Sequence, residues 1–199
     1  MPTHADAIAE LAAIRTMPPQ LWVDLRGDRG MPARERMDKA ADDHTGRPHG
    51  GLWTSTYRDG DHSSPFIDTL RATAGDVPTV SCPAWILTPR RSPIWEISDS
   101  HGMLDLMVLA DGAGPIWPQV AGQVAGVHMT AQGAKAFPTL PVDDGRPALH
   151  AARMEAVAYL TETGAGGPLA WWYSECTYWC RWGFSEVART APIDVPDVF

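Results

Sequence analysis

Residues 53–57 read Trp-Thr-Ser-Thr-Tyr, behind Gly50, Gly51 and Leu52. A surface turn would use the glycines and the hydroxyls, because Gly relieves backbone sterics and Ser/Thr bond locally to the main chain. It would have no use for Trp53. A strand uses both, with Leu52, Thr54 and Thr56 on one face and Trp53, Ser55 and Tyr57 on the other. The second face then carries two rings around a hydroxyl, which describes a shelf for a planar ligand; an ordinary core strand satisfies the same alternation. Two charged residues could complete such a site. Arg26 ends the extended run LWVDLRG (21–27), and Glu175 stands among rings in WWYSECTYW (171–179). Each also has a plain structural reading. Arg26 can be a solvated strand end, and Glu175 a buried acid paired with Arg181 or Arg26 to close a core.

The elements that must position these groups are legible in outline. HADAIAELAAIRTM spaces Ile8, Leu11 and Ile14 helically and stops at Pro18-Pro19, which predicts an N-terminal helix within residues 1–19. QLWVDLRG reads as a strand closed by Gly27. Residues 28–48 are polar and read as a long loop with one helical turn around PARERMDKAA. SSPFIDTLRATA has a serine cap and Pro65 at the first helical position. TVSCPAWILTP and RSPIWEISD read as strands around the Pro-Arg-Arg turn at 89–91, and SHGMLDLMVLA as a helix. GVHMT predicts a strand with a small helix from Ala131, residues 147–163 a helix ended by a Gly-rich turn, and 171–184 a strand or a tight pair of strands. Helices and strands alternate without a regular βαβ repeat. The class is therefore α+β, a mixed, mostly antiparallel split sheet with flanking helices, in one domain of 199 residues: N-terminal helix 1–19, core 20–187, tail 188–199.

Composition narrows the partners. The chain carries 24 acidic and 16 basic residues, net charge −8, so nothing in the whole-chain balance attracts nucleic acid or an anionic membrane. No apolar run approaches the roughly 20 residues that span a bilayer. The acidic residues of the N-terminus do not suit a signal peptide, which predicts a cytoplasmic protein. Cys82, Cys176 and Cys180 are an odd set, suited to a reducing compartment and to core packing rather than a disulfide framework, and no metal site is predicted. The tryptophan-rich segment near the C-terminus serves equally as core or as a homo-oligomer surface.

An arginine, a hydroxyl strand and a late glutamate, in that order, resemble the R-S-E pattern of the ADP-ribosyltransferases. WILTPRRSPIWEISDSHGMLDL (85–106) looks like the strand, strand, helix passage that follows the Ser-Thr-Ser strand in small bacterial and bacteriophage members. GVHMTAQGAKAF (126–137) and SECTYWCRWGF (174–184) are similar to segments of bacteriophage proteins of that general type. The resemblance spans residues 20–187 and implies a phage or prophage protein acting on NAD as substrate, in the host cytosol. It implies that Arg26 binds phosphate or ribose oxygens through its donor fork. Ser55 would brace the catalytic acid, Thr54 or Thr56 would bond the nicotinamide amide or shape the strand, and Trp53 or Tyr57 would stack on the ring. Glu175 would stabilise the oxocarbenium-like cation as the glycosidic bond breaks. Two departures qualify this. Tyr173 stands where arginine-modifying members carry Glu or Gln, leaving the acceptor open among protein, nucleic acid and small molecule. The alternative H-Y-E pattern lacks its first-strand histidine, although Tyr57 could fill its middle place; His44, His49 and His62 fall in loops. The competing expectation is a noncatalytic virion or accessory protein.

Overall fold

The computed structural model describes residues 14–42, 48–109, 116–135, 147–163 and 172–197. In chain order these form β1 (Ile14–Arg15), β2 (Gln20–Val23), β3 (Ala41–Asp42), β4 (Pro48–His49), β5 (Leu52–Thr56), α1 (Pro65–Thr73), β6 (Thr79–Cys82), β7 (Ala84–Pro89) and β8 (Ser92–Ile97). There follow α2 (Ser100–Leu109), α3 (Ile116–Gln123), β9 (Gly126–Met129), α4 (Pro147–Thr163), β10 (Cys176–Trp179), β11 (Phe184–Arg189) and β12 (Ile193–Pro196).

Eight strands form one sheet in the order β1-β8-β9-β10-β5-β2-β7-β11. Only β8 and β9 run parallel, so the mixed, mostly antiparallel α+β expectation holds at that level. The sheet cannot be flat. Strands β7 and β8 lie five positions apart, about 24 Å in a flat sheet at ordinary strand spacing. Yet only Arg90 and Arg91 join them, a link reaching about 11 Å at most. The sheet must curl until its two halves approach. Its two surfaces are filled separately. Trp95, Ile97, Val127, Tyr178 and Trp117 of α3 form one apolar cluster, and Trp22, Trp85, Leu87, Trp179 and Phe184 form another.

Local sequence explains the elements nearest the site. Gly50 and Gly51 both adopt left-handed φ, +71° and +59°, and a Cβ on Gly51 would lie 2.6 Å from the Tyr178 ring and the Trp179 carbonyl. The glycine pair therefore lets β5 enter flush against β10. Ser64 caps α1 by accepting from the Ile67 amide at 3.4 Å, with Pro65 at the first helical position, as its sequence predicts. The helices around 100–109 and 147–163 also form where the sequence places them. Leu104 and Met107 of α2 pack on Ala156 of α4, and the buried Asp105 receives Nε and Nη2 of Arg153 at 2.6 and 2.8 Å.

Four expectations are corrected. Residues 1–13 of the expected N-terminal helix lie outside the described residues, but Ile14–Arg15 form a strand on β8, with Arg15 paired to Glu96 at 3.0 Å. Pro18 and Pro19 disfavour helical geometry in the residues just before them. Residues 188–197 of the expected tail are also structured. Its residues 193–196 pair with 79–82, because Ile193 and Val195 alternate inward against Ile67 and Cys82. TVSCPAWILTP breaks at Pro83 into β6 and β7, which join different sheets, since proline cannot donate to a continuing ladder. Finally, the 28–48 loop contains, besides its single turn at Arg34–Arg36, the strand pair β3–β4 that closes across residues 43–47. His44 lies outside the described residues, as does any continuation of the short 3₁₀ turn Gly133–Lys135. No described helix is long and apolar enough to cross a membrane.

Candidate active site

The sheet order brings the three singled-out segments together. Strands β10, β5 and β2 are neighbours, with Thr177 opposite Thr54, and Leu21 opposite Ser55. Glu175, one residue before β10, thereby meets the far end of β5. The Ser55 hydroxyl lies 3.1 Å from Glu175 Oε2 and 2.9 Å from the Glu175 carbonyl, so its single proton is shared between two acceptors. It accepts in turn from the Phe66 amide at 3.3 Å, which ties the start of α1 to the acid. Thr56 donates its hydroxyl to Oε1 at 2.8 Å and its amide to Oε2 at 3.3 Å. Strict alternation predicts opposite faces for Ser55 and Thr56; both reach the carboxylate because it sits at the strand end, where side chains from either face can converge.

Glu175 is buried, and burial pushes its carboxyl above the ordinary carboxylate range. The Thr56 and Ser55 hydroxyls, the Thr56 amide and the Arg58 charge pull it part of the way back. The carboxyl is desolvated and held by neutral donors. Among the described residues it has no guanidinium within ion-pair distance, so the reading that pairs it with Arg181 or Arg26 to close a core is not what forms.

Beside the acid lies a cavity of about 540 Å³. Ser55 and the neighbours of Glu175, Ser174 and Cys176, line it; Glu175 stands behind Ser55, one hydrogen bond from the lumen. Its walls include Trp22, Trp53, Phe66 and Trp172. Trp53 is 40% exposed and meets Trp172 edge-on at 4.8 Å and Tyr178 at 5.0 Å. Thr54 also borders the cavity, but its hydroxyl is committed to the sheet: it donates to Gln20 Oε1 at 2.8 Å and accepts from Trp179 Nε1 at 2.9 Å. Those bonds tie β5 to both of its neighbours, β2 and β10. Tyr57 does not line the cavity; its hydroxyl lies 2.8 Å from His62 Nδ1, just past the strand.

Arg26 is exposed on the cavity rim, in a turn beyond the end of β2. Arg29 shares the rim, and neither guanidinium has a carboxylate partner among the described residues. What holds them is Asp24, 1% exposed, whose carboxylate accepts from the amides of Gly27, Arg29 and Gly30, each at 3.0 Å. Asp24 and Arg29 were not singled out from sequence. The signal was present, since an aspartate followed by two glycines in LRGDRG suits a turn closed on its own side chain. Asp24→Ala should free three amides and lower unfolding free energy by about 2 kcal/mol in urea titration. An unchanged midpoint would mean the loop closes without its carboxylate.

His128 is the other residue that sequence reasoning passed over. It is the polar member of the buried strand GVHM, with Nδ1 2.9 Å from Thr177 Oγ1 and 3.6 Å from Glu175 Oε1. Burial, helped by the Arg15 charge, lowers its pKa from 6.5 to about 4. The ring is thus neutral in the folded chain, while the unfolded ring protonates first as pH falls. Stability from this group is full above 6.5 and is withdrawn as pH falls to about 4. Stepped-pH urea denaturation should show that slope in wild type, and a flatter curve in His128→Phe. Equal slopes would remove His128 from the acid response.

Cys82, Cys176 and Cys180 are all free and buried, the Cys176 sulfur taking the Trp172 indole N–H and burial pushing the Cys180 thiol up to about 12. Among the described residues no group of three or more His, Cys, Asp or Glu could hold a metal ion. No protein-family model, curated protein or solved structure matches the chain.

Proposed function

We propose that the chain is an NAD-dependent ADP-ribosyltransferase-like enzyme, encoded by a phage or prophage and acting in the host cytosol. The observation that carries this reading is the buried Glu175 carboxylate, held by Ser55 and Thr56 one hydrogen bond behind the cavity wall that Ser55 forms. A volume of about 540 Å³ lies within the range of small-ligand sites, and aromatic walls with two rim arginines suit a ligand having planar rings and phosphates. In the reaction, the bond between the nicotinamide nitrogen and ribose C1′ breaks, and its electron pair leaves with neutral nicotinamide. Positive charge develops on C1′ and the ring oxygen, where a desolvated carboxylate stabilises it. The acceptor attacks C1′ and releases its proton to solvent. Tyr173, 67% exposed beside the cavity, offers no carboxylate to deprotonate a guanidinium, so the acceptor proposed is not arginine.

Nicotinamide release from NAD by the purified protein, compared with Glu175→Gln, tests this. No release, or equal release from both, overturns it. The exposure of Tyr173 and Trp53 favours a second reading, a noncatalytic virion or accessory protein whose rings contact other copies. Mass photometry at micromolar concentration decides it: a monomer removes that reading.

A further inference from the structure

Glu175 has a second neighbour whose charge state matters, and the sheet register fixes how it is controlled. Thr177 lies directly opposite His128 across the β9–β10 pair, and Glu175 precedes Thr177 by two residues, on the same face. The three side chains form one buried row: Thr177 is fully buried, His128 is 9% exposed and Glu175 is 7% exposed.

The Thr177 hydroxyl has one hydrogen-bond partner among the described residues, His128 Nδ1 at 2.9 Å. If Nδ1 carried the ring proton and donated it, the buried Thr177 proton would be left without an acceptor, which is costly. Donation from Thr177 to a lone pair on Nδ1 satisfies both groups. The ring proton then resides on Nε2, and the atom facing Glu175 Oε1 at 3.6 Å is a lone pair. The other charged groups nearby are Arg15 on β1, held by Glu96 of β8 at 3.0 Å, and Arg58 after β5, held by Asp61 at 2.7 Å and Asp68 at 2.6 Å. Among these groups, an imidazolium at His128 would be the closest cation to the acid.

We propose that Thr177 is a positioning residue that locks His128 in the Nε2–H tautomer, so that the imidazole beside Glu175 stays neutral and the carboxylate keeps its full charge for the ribosyl cation. The inference rests on the reading of Glu175 given above. A protonated Nδ1–H turned onto Oε1 would neutralise the group the reaction needs. Hydrogen bonding to the neutral ring disfavours its protonation, and Thr177→Val keeps the β-branched shape while removing that bond.

The test has two readouts on wild type, Thr177→Val and Thr177→Ser: imidazole ¹⁵N shifts through a pH titration, with His128→Phe assigning the signal, and the pH profile of nicotinamide release. Expected are an unprotonated Nδ1 in wild type, and in Thr177→Val a His128 titration and an acid limb both moved up by roughly one pH unit. Thr177→Ser should restore both. A wild-type ring protonated at Nδ1, or a Thr177→Val titration that does not move, overturns the lock. Absence of nicotinamide release from wild type overturns the enzymatic reading instead, while the nitrogen shifts still decide the tautomer.

Discussion

Glu175→Gln should lower the rate of nicotinamide release from NAD by about 10²- to 10³-fold, the scale set by removing one preorganised stabiliser of transition-state charge. The loss should fall on kcat and leave NAD binding, read by tryptophan fluorescence, nearly unchanged. Glutamine has the same shape, and its amide can remain in the same cradle: its oxygen, in the Oε2 place, accepts from the Thr56 amide and the Ser55 hydroxyl, while its nitrogen, in the Oε1 place, donates to the Thr56 hydroxyl oxygen. A fall in binding with unchanged turnover would assign Glu175 to packing instead. Stability offers an independent check with a definite sign. Because burial raises the folded-state pKa, this group's contribution to stability is full below the ordinary 4.5 and is lost as pH rises through the folded value. Glu175→Gln resembles the protonated form, so it should be at least as stable as wild type at pH 7, with the advantage gone below 4.5.

The second large effect concerns the fold. Arg153→Met should destabilise the chain by about 3–5 kcal/mol, because it leaves the Asp105 carboxylate buried without its bidentate partner. For a chain of this size that corresponds to a fall in Tm of roughly 10 °C. The double change Asp105→Leu with Arg153→Met should recover much of the loss, since removing both charges removes the uncompensated one. Calorimetry on the two variants separates the cases. Equal losses would mean that α2 and α4 depend on the geometry of the pair more than on its charge.

How far the sequence reveals this arrangement depends on how local each signal is. Helix α1 was readable because its cap, its proline and its apolar face lie within twelve residues. The Ser55–Glu175 contact was readable only through the order of short motifs, since the two residues are 120 positions apart and no local property of either requires the other. His128 escaped notice because a lone histidine in an apolar strand has many structural uses; only the register against Thr177 makes it chemically specific. The small strand pairs failed for a different reason. Ile14–Arg15 and Ile193–Pro196 are too short for periodicity to register, and their partners, not their own propensities, make them extended. Sites and short edges are both tertiary facts.

The place of β10 has a consequence for synthesis. It is an interior strand, flanked by β9 and β5, yet it is translated after both of them. Until then the nascent chain holds two open hydrogen-bonding edges where one strand belongs, a template for pairing between molecules. Every contact β10 makes on arrival closes a long loop, which makes its insertion a slow event. The same segment delivers Glu175, so the Ser55–Glu175 contact forms in the step that seals the sheet.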